Sequence, residues 1–260
     1  MKVISLGMGV QSTAMYMMSS KNIIERADHA VFADPGAESP ETYEIVELLI
    51  KWQKENDGIP IHIVDEYNLL QDLLNKKNST GQRFSGIPAF SNYTGGMLRR
   101  QCTAEYKIKP VMKKIRDLHG LKKYQRMPKT QVWLGISMDE IQRMKISQLP
   151  NVEYYYPLIE ERLSRYDCLK LFDDFDFPKP PKSACVFCPY YSDKGWKQIK
   201  DNDKKTWKVI NDVDKSIRNS LIERGLKGEL FLHRSTTPLD KVQFADQQEL
   251  FMCEEGFCGL

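Results

Sequence analysis

The chain has 260 residues, 41% apolar and 28% charged, with a formal net charge of +3. That composition supports a hydrophobic core and excludes a low-hydropathy disordered chain. No run of about 18 apolar residues is present, which argues against a membrane-spanning helix. The start "MKVISLGMGV" lacks the charged leader, long apolar stretch and cleavage site of a signal peptide, so the expectation is a cytoplasmic protein.

The elements follow in order. "KVISLGM" reads as a buried first strand, followed by a helix over about 11–20. "HAVFAD" (29–34) and "IPIHIV" (59–64) read as further strands. Between them a helix is predicted over about 40–56, where Ile45, Leu48, Leu49 and Trp52 share one face. Ser39-Pro40-Glu41 starts it with a capping hydroxyl, a proline at the first helical position and an early carboxylate. A helix over 104–118 and strands "QVWLGI" (131–136) and "VEYYYPL" (152–158) follow. Alternating strands and helices imply parallel pairing with right-handed crossovers. The predicted fold is therefore α/β, a doubly wound and mainly parallel sheet over 1–160. Residues 161–260 read as a helical and irregular region folded over the sheet's ligand edge, with helix mostly in 193–225.

Four stretches carry chemistry. "SLGMGVQSTA" (5–14) is a strand-to-helix turn in which Gly7 and Gly9 permit a tight path. Ser5, Gln11, Ser12 and Thr13 flank it, and a helix N-terminus there favours an anion. It is neither a Walker A loop nor a GxGxxG fingerprint. "DPGAESPETY" (34–43) offers Asp34, Gly36, Glu41 and Thr42 at a second strand end, where Asp34 suits ribose hydroxyls, Mg²⁺ or a plain helix cap. "GISMDEIQRMK" (135–145) brings Gly135, Asp139, Glu140 and Arg143 to a third, as ligand groups or as a surface ion pair.

The fourth is "SACVFCPYY" (183–191). Cys185 and Cys188 have the spacing of metal ligands or a redox pair. Of the six cysteines, Cys102 and the tail pair Cys253 and Cys258 are the available partners, and spacing alone leaves zinc and iron–sulfur both open. Cys168, in a helical pattern, reads as a buried thiol. Residues 99–129 hold eleven Lys/Arg against Glu105 and Asp117. Arg99, Arg100, Lys107 and Lys109 among them form either an anion-binding wall or a solvated face.

These pieces, in this order, resemble the phosphoadenosine phosphosulfate (PAPS) reductase family of the PP-loop, or adenine nucleotide α-hydrolase-like, superfamily. "SLGMGVQSTA" is similar to its modified PP-loop, and "DPGAESPETYEIVELL" to its Asp-x-Gly…Pro-Glu-Thr-Tyr segment. "RRQCTAEYKIKPV", "GISMDEIQR" and "SACVFCP" resemble its arginine–cysteine, Gly-x-Arg and Cys-x-x-Cys-Pro segments, and "CGL" at 258–260 resembles its cysteine-bearing ending. The resemblance implies binding of an adenine nucleotide (PAPS, adenosine phosphosulfate or ATP) and a [4Fe–4S] cluster, with zinc as the alternative. It implies ligands Cys102, Cys185, Cys188 and Cys253, with the nucleophile Cys258 reducing a sulfonucleotide to sulfite and a thioredoxin-like thiol as reductant. Exchanged roles for the two tail cysteines remain open. So do an ATP-dependent enzyme, using Mg²⁺, that moves sulfur onto nucleic acid, and a zinc-stapled module without activity.

Overall fold

The computed structural model describes residues 1–84 and 86–244. Five parallel strands form the main sheet: β1 (Lys2–Ser5), β2 (His29–Ala33), β3 (Ile61–Val64), β5 (Thr130–Leu134) and β6 (Val152–Tyr155), in the order β3-β2-β1-β5-β6. A short antiparallel ribbon joins β4 (Phe90–Ser91) to β7 (Leu230–Phe231). The main sheet is the expected α/β, doubly wound arrangement.

Successive strand residues enter opposite layers, as the two-residue period of a strand requires. Ile4, Ala30, Phe32 and Trp133 face one core with α1 (Val10–Ser20), α2 (Pro40–Glu55) and α6 (Arg165–Asp174). Val3, Val31 and Val132 face the other, with Val111 and Ile115 of α4 (Lys109–Leu118). Helices on both faces explain why the strands read as continuous apolar runs. Cys168 of α6 is wholly buried in the first core.

A third core lies over the carboxyl edge. It combines α3 (Leu69–Leu74) with α7 (Asp193–Asn202) and α8 (Lys204–Ile217), through Leu69, Leu73, Trp196, Ile210, Val213 and Ile217. Residues before β4 thus pack with residues far along the chain, while α6 belongs to the sheet layer. Asp214 ties down the last described segment, accepting from Leu232 N at 2.9 Å and Leu239 N at 3.2 Å and pairing with Arg218.

The predicted strand 152–158 is shorter than expected. It stops at Tyr155, and Pro157 opens the single-turn helix α5 (Pro157–Glu160), because proline's fixed φ suits a first helical turn. On α2, Ile45, Leu49 and Trp52 are buried, but Leu48 is 41% exposed. The Ser39 hydroxyl caps α2 as expected, accepting from Thr42 N. The predicted helix over 104–118 opens as a π-turn at Ala104–Ile108 before α4. Among the described residues no helix is long and apolar enough to cross a membrane.

Candidate functional site

Strand order reverses on either side of β1. The connections run outward through β2 and β3, then return to place β5 beside β1 on its other flank. In open α/β sheets, ligands bind outside the carboxyl ends of the strands at such a switch point. Here that crevice is bounded by the Gly7–Gly9 loop after β1 and by Gly135–Ser137 after β5.

The two loops touch closely. A Cβ on Gly135 would lie 2.7 Å from both Cα and N of Ser12, so only glycine fits. Gly7 N donates to Ser12 Oγ at 3.1 Å, and Met8 takes a positive φ of 57° between the glycines. Thr13 is fully buried in the first turn of α1, and its Oγ1 has no hydrogen-bond partner. Gln11 reaches Ser137 Oγ at 3.4 Å and accepts from Arg165 Nη1 at 3.1 Å.

The Asp34 loop lies at the carboxyl end of β2. Asp34 Oδ1 accepts from Gly36 N at 2.7 Å and Tyr43 Oη at 2.9 Å. Burial, then the Asp34 carboxylate, pushes the Tyr43 phenol up, so it stays a donor. Gly36 has a φ of +65°, and a Cβ there would collide with the Asn68 amide at 2.7 Å. Thr42 is buried and its hydroxyl meets Ser39 Oγ at 3.1 Å as part of the α2 cap, whereas Glu41 is exposed.

The cysteine loop is stitched to this segment. Val186 N donates to Ala37 O at 2.9 Å, and Glu38 bridges to Cys185. The Glu38 side chain is fully buried; it accepts from Lys107 Nζ at 2.7 Å and Ser183 Oγ at 3.2 Å. Burial alone would lower the Lys107 pKa, but the charge and hydrogen bond of Glu38, together with its cysteine neighbour, hold the ammonium above its ordinary range. Burial and the Glu38 charge push the Cys185 thiol up.

Cys102, Cys185 and Cys188 line one cavity of about 170 Å³ together with Arg100, Lys107 and Arg143. Among the described residues none of the three forms a disulfide. Ser183 also lines this cavity and meets the Gly7–Gly9 loop, 3.8 Å from where a Cβ on Gly9 would stand. Arg143 pairs with the buried Glu140 at 2.6 Å, so that pair is no surface ion pair, and Glu140 Oε2 is buried without a partner. Asp139 is exposed and accepts from Arg165 N at 2.7 Å ahead of α6. Arg99 and Lys109 are exposed and do not line the cavity. Ser5 closes β1. Cys253 and Cys258 lie outside the described residues.

As a metal site, the cavity supplies three thiols with cationic neighbours, a donor set suited to zinc or an iron–sulfur cluster. The type of donor fits, and a four-ligand site would need one ligand beyond these three. Among the described residues, however, no group of three or more His, Cys, Asp or Glu is already drawn into a metal-holding arrangement.

Sequence reasoning missed Glu38, Ser183 and Arg165. Glu38 stands two residues from Pro40 in a polar loop and looks like the exposed Glu41. Only the fold separates the buried carboxylate from the solvated one. In comparison with known proteins, no family model matches this chain and no curated protein matches it.

Proposed function

We propose that the protein is a PAPS reductase-like enzyme that binds an adenine sulfonucleotide across the β1–β5 crevice and reduces it to sulfite. The observation that carries this reading is the shared wall at Ser183, which meets the Gly7–Gly9 loop on one side and opens into the three-cysteine cavity on the other. A nucleotide phosphate at the first turn of α1 would meet free N–H groups, and a small shift of the glycine loop would bring it to the Thr13 hydroxyl, which is enclosed here. Its anionic sulfur end would then point toward Arg100, Lys107 and Arg143, which stabilise charge as it shifts onto leaving oxygen.

The chemistry balances as two displacements. The Cys258 thiolate attacks the sulfonate sulfur, an S–S bond forms, and the S–O bond breaks with its electron pair leaving on the nucleotide phosphate. A thiolate of a thioredoxin-like dithiol then attacks Cys258 Sγ and expels sulfite, and the reductant's second thiol closes its own disulfide, returning the Cys258 thiolate. Cys102, Cys185 and Cys188, with Cys253, would hold a [4Fe–4S] cluster or zinc. Such a group would pin the cysteine loop and add a fixed charge beside the nucleotide.

A second reading has one specific observation in its favour. Thr13 Oγ1 is buried and unpartnered behind Ser12, a hydroxyl pair suited to ATP with Mg²⁺. In that case the site would adenylate a substrate and transfer sulfur to nucleic acid. The test is sulfite release from PAPS and from adenosine phosphosulfate with thioredoxin and dithiothreitol, in wild type and Cys258→Ser. Sulfite from wild type alone supports the first reading. No sulfite, with ATP–pyrophosphate exchange, supports the second; neither activity, with bound zinc, leaves a non-catalytic module.

A further inference from the structure

Away from the cysteine cavity, the turn between α4 and β5 forms a second surface with a distinct character. It stands at the amino end of β5, the sheet edge opposite the crevice. Residues 116–129 carry Arg116, Lys122, Lys123, Arg126 and Lys129 against the single acid Asp117. Lys122, Lys123, Arg126 and Lys129 are all exposed.

At the tip stands Tyr124, 89% exposed. Its φ is +69°, a conformation that a bulky L-residue adopts only under constraint. The constraint is visible. Arg116 Nη2 donates to Lys122 O at 2.9 Å and Gln125 O at 3.0 Å, and Lys122 N donates to Gln125 Oε1 at 2.6 Å. The turn is tied from beneath by an arginine of α4, and it holds an aromatic ring out in water. Burying no part of that ring forgoes the stabilisation a tyrosine gives in a core. The Lys123 ammonium sits 5.0 Å from the ring centroid, leaving the opposite ring face for another planar group. Beside the turn, a groove of about 480 Å³ is lined by Lys2, Lys129, Gln131, Asn151 and Glu153 among others.

We infer that this turn is a docking site for single-stranded nucleic acid, with an unpaired base stacked on Tyr124 and the flanking phosphates on Lys122, Lys123 and Arg126. Exposed aromatic rings interleaved with cations bind single strands through stacking and phosphate contacts, with little sequence preference. An anionic membrane or an acidic peptide would use the charges but gains little from one rigid ring held on a polar turn. The inference rests on neither reading of the cysteine site, because the surface lies at the other edge of the sheet and binding needs no turnover.

The experiment is fluorescence anisotropy of the full chain with a labelled oligothymidylate of about 16 nucleotides, titrated at several salt concentrations. The same sequence as a duplex, polyglutamate and phosphatidylserine vesicles serve as competitors. Single-strand binding is expected, weakened about tenfold in Tyr124→Ala and retained in Tyr124→Phe. The variant Lys122→Glu/Lys123→Glu/Arg126→Glu should bind weakly, with a salt slope lower by about two. All four side chains are exposed, so unchanged melting temperatures check that the variants fold. No binding by wild type at low salt, equal binding by Tyr124→Ala, or preferential displacement by vesicles or polyglutamate would overturn the proposal.

Discussion

Lys107 Nζ donates to Glu38 Oε1 at 2.7 Å, and the Glu38 side chain is fully enclosed. This bond joins the loop after β2 to the π-turn before α4, on either side of Cys185. Because Glu38 also accepts from Ser183, one carboxylate sets the distance between the Gly7–Gly9 loop and the thiols. Removing its charge leaves Lys107 beside a neutral amide. Losing one partner of a buried ion pair typically costs about 3–5 kcal/mol. Lys107 keeps about a third of its exposure, so Glu38→Gln is expected to cost about 2–3 kcal/mol. Urea unfolding at an unchanged slope reads this as a lower midpoint. An unchanged midpoint would mean that the pair does not brace the site.

Gly135 tests the crevice itself. A methyl group there meets Ser12 backbone, which cannot swing aside as a side chain would. Gly135→Ala should therefore part β5 from α1, at a cost of about 1–3 kcal/mol, and should lower nucleotide affinity more than any substitution at the exposed Glu41. Calorimetric titration with an adenine nucleotide compares the two. Equal affinities would move the ligand away from the switch point.

Thr13→Val separates a ligand role from a structural one. The hydroxyl is buried without a partner, so the near-isosteric valine should leave the unliganded protein as stable or raise its melting temperature. A hydrogen bond to a charged phosphate would be lost, and nucleotide affinity should fall about tenfold or more. Lower stability with unchanged affinity would make Thr13 a packing residue only.

Cys168 supplies a pH dependence. Burial, then the Asp139 carboxylate, pushes its thiol from the ordinary 9.0 up to about 12. Above pH 9 the unfolded chain loses this proton while the folded chain keeps it, so stability falls as pH rises. The loss is about 1.4 kcal/mol per pH unit until the folded thiol ionises as well. Cys168→Ala should be less stable at neutral pH through its cavity, yet should lose less between pH 9 and pH 10 than wild type. Urea midpoints at the two pH values give the comparison, and parallel losses would contradict it.

The sheet was legible because burial on both faces writes itself into the strands as apolar runs, and because Ser39-Pro40-Glu41 marks a helix start by local chemistry. "VEYYYPL" was harder: three tyrosines favour a strand, while Pro157 suits a first helical turn equally well. The third core was not legible. Leu69 and Leu73 meet Trp196, Ile210 and Val213 across more than a hundred residues, and no local pattern pairs them. Of the candidate site, the glycine loop and the cysteine spacing stood out, whereas Glu38 and Arg165 take their importance from partners distant in sequence. Cys102, Cys185 and Cys188 lining one cavity is a property of the fold, since Cys102 reaches the other two across eighty residues.

The proposed chemistry requires the three thiols and the crevice to work as one site. The direct measurement is the iron, sulfide and zinc content and visible spectrum of protein purified without oxygen, before and after adding adenine nucleotide. The expected result is brown protein with about four irons and four sulfides per chain, a spectrum that shifts on nucleotide addition, and loss of both in Cys185→Ser. Colourless protein holding neither metal, or a metal spectrum indifferent to saturating nucleotide, would contradict it.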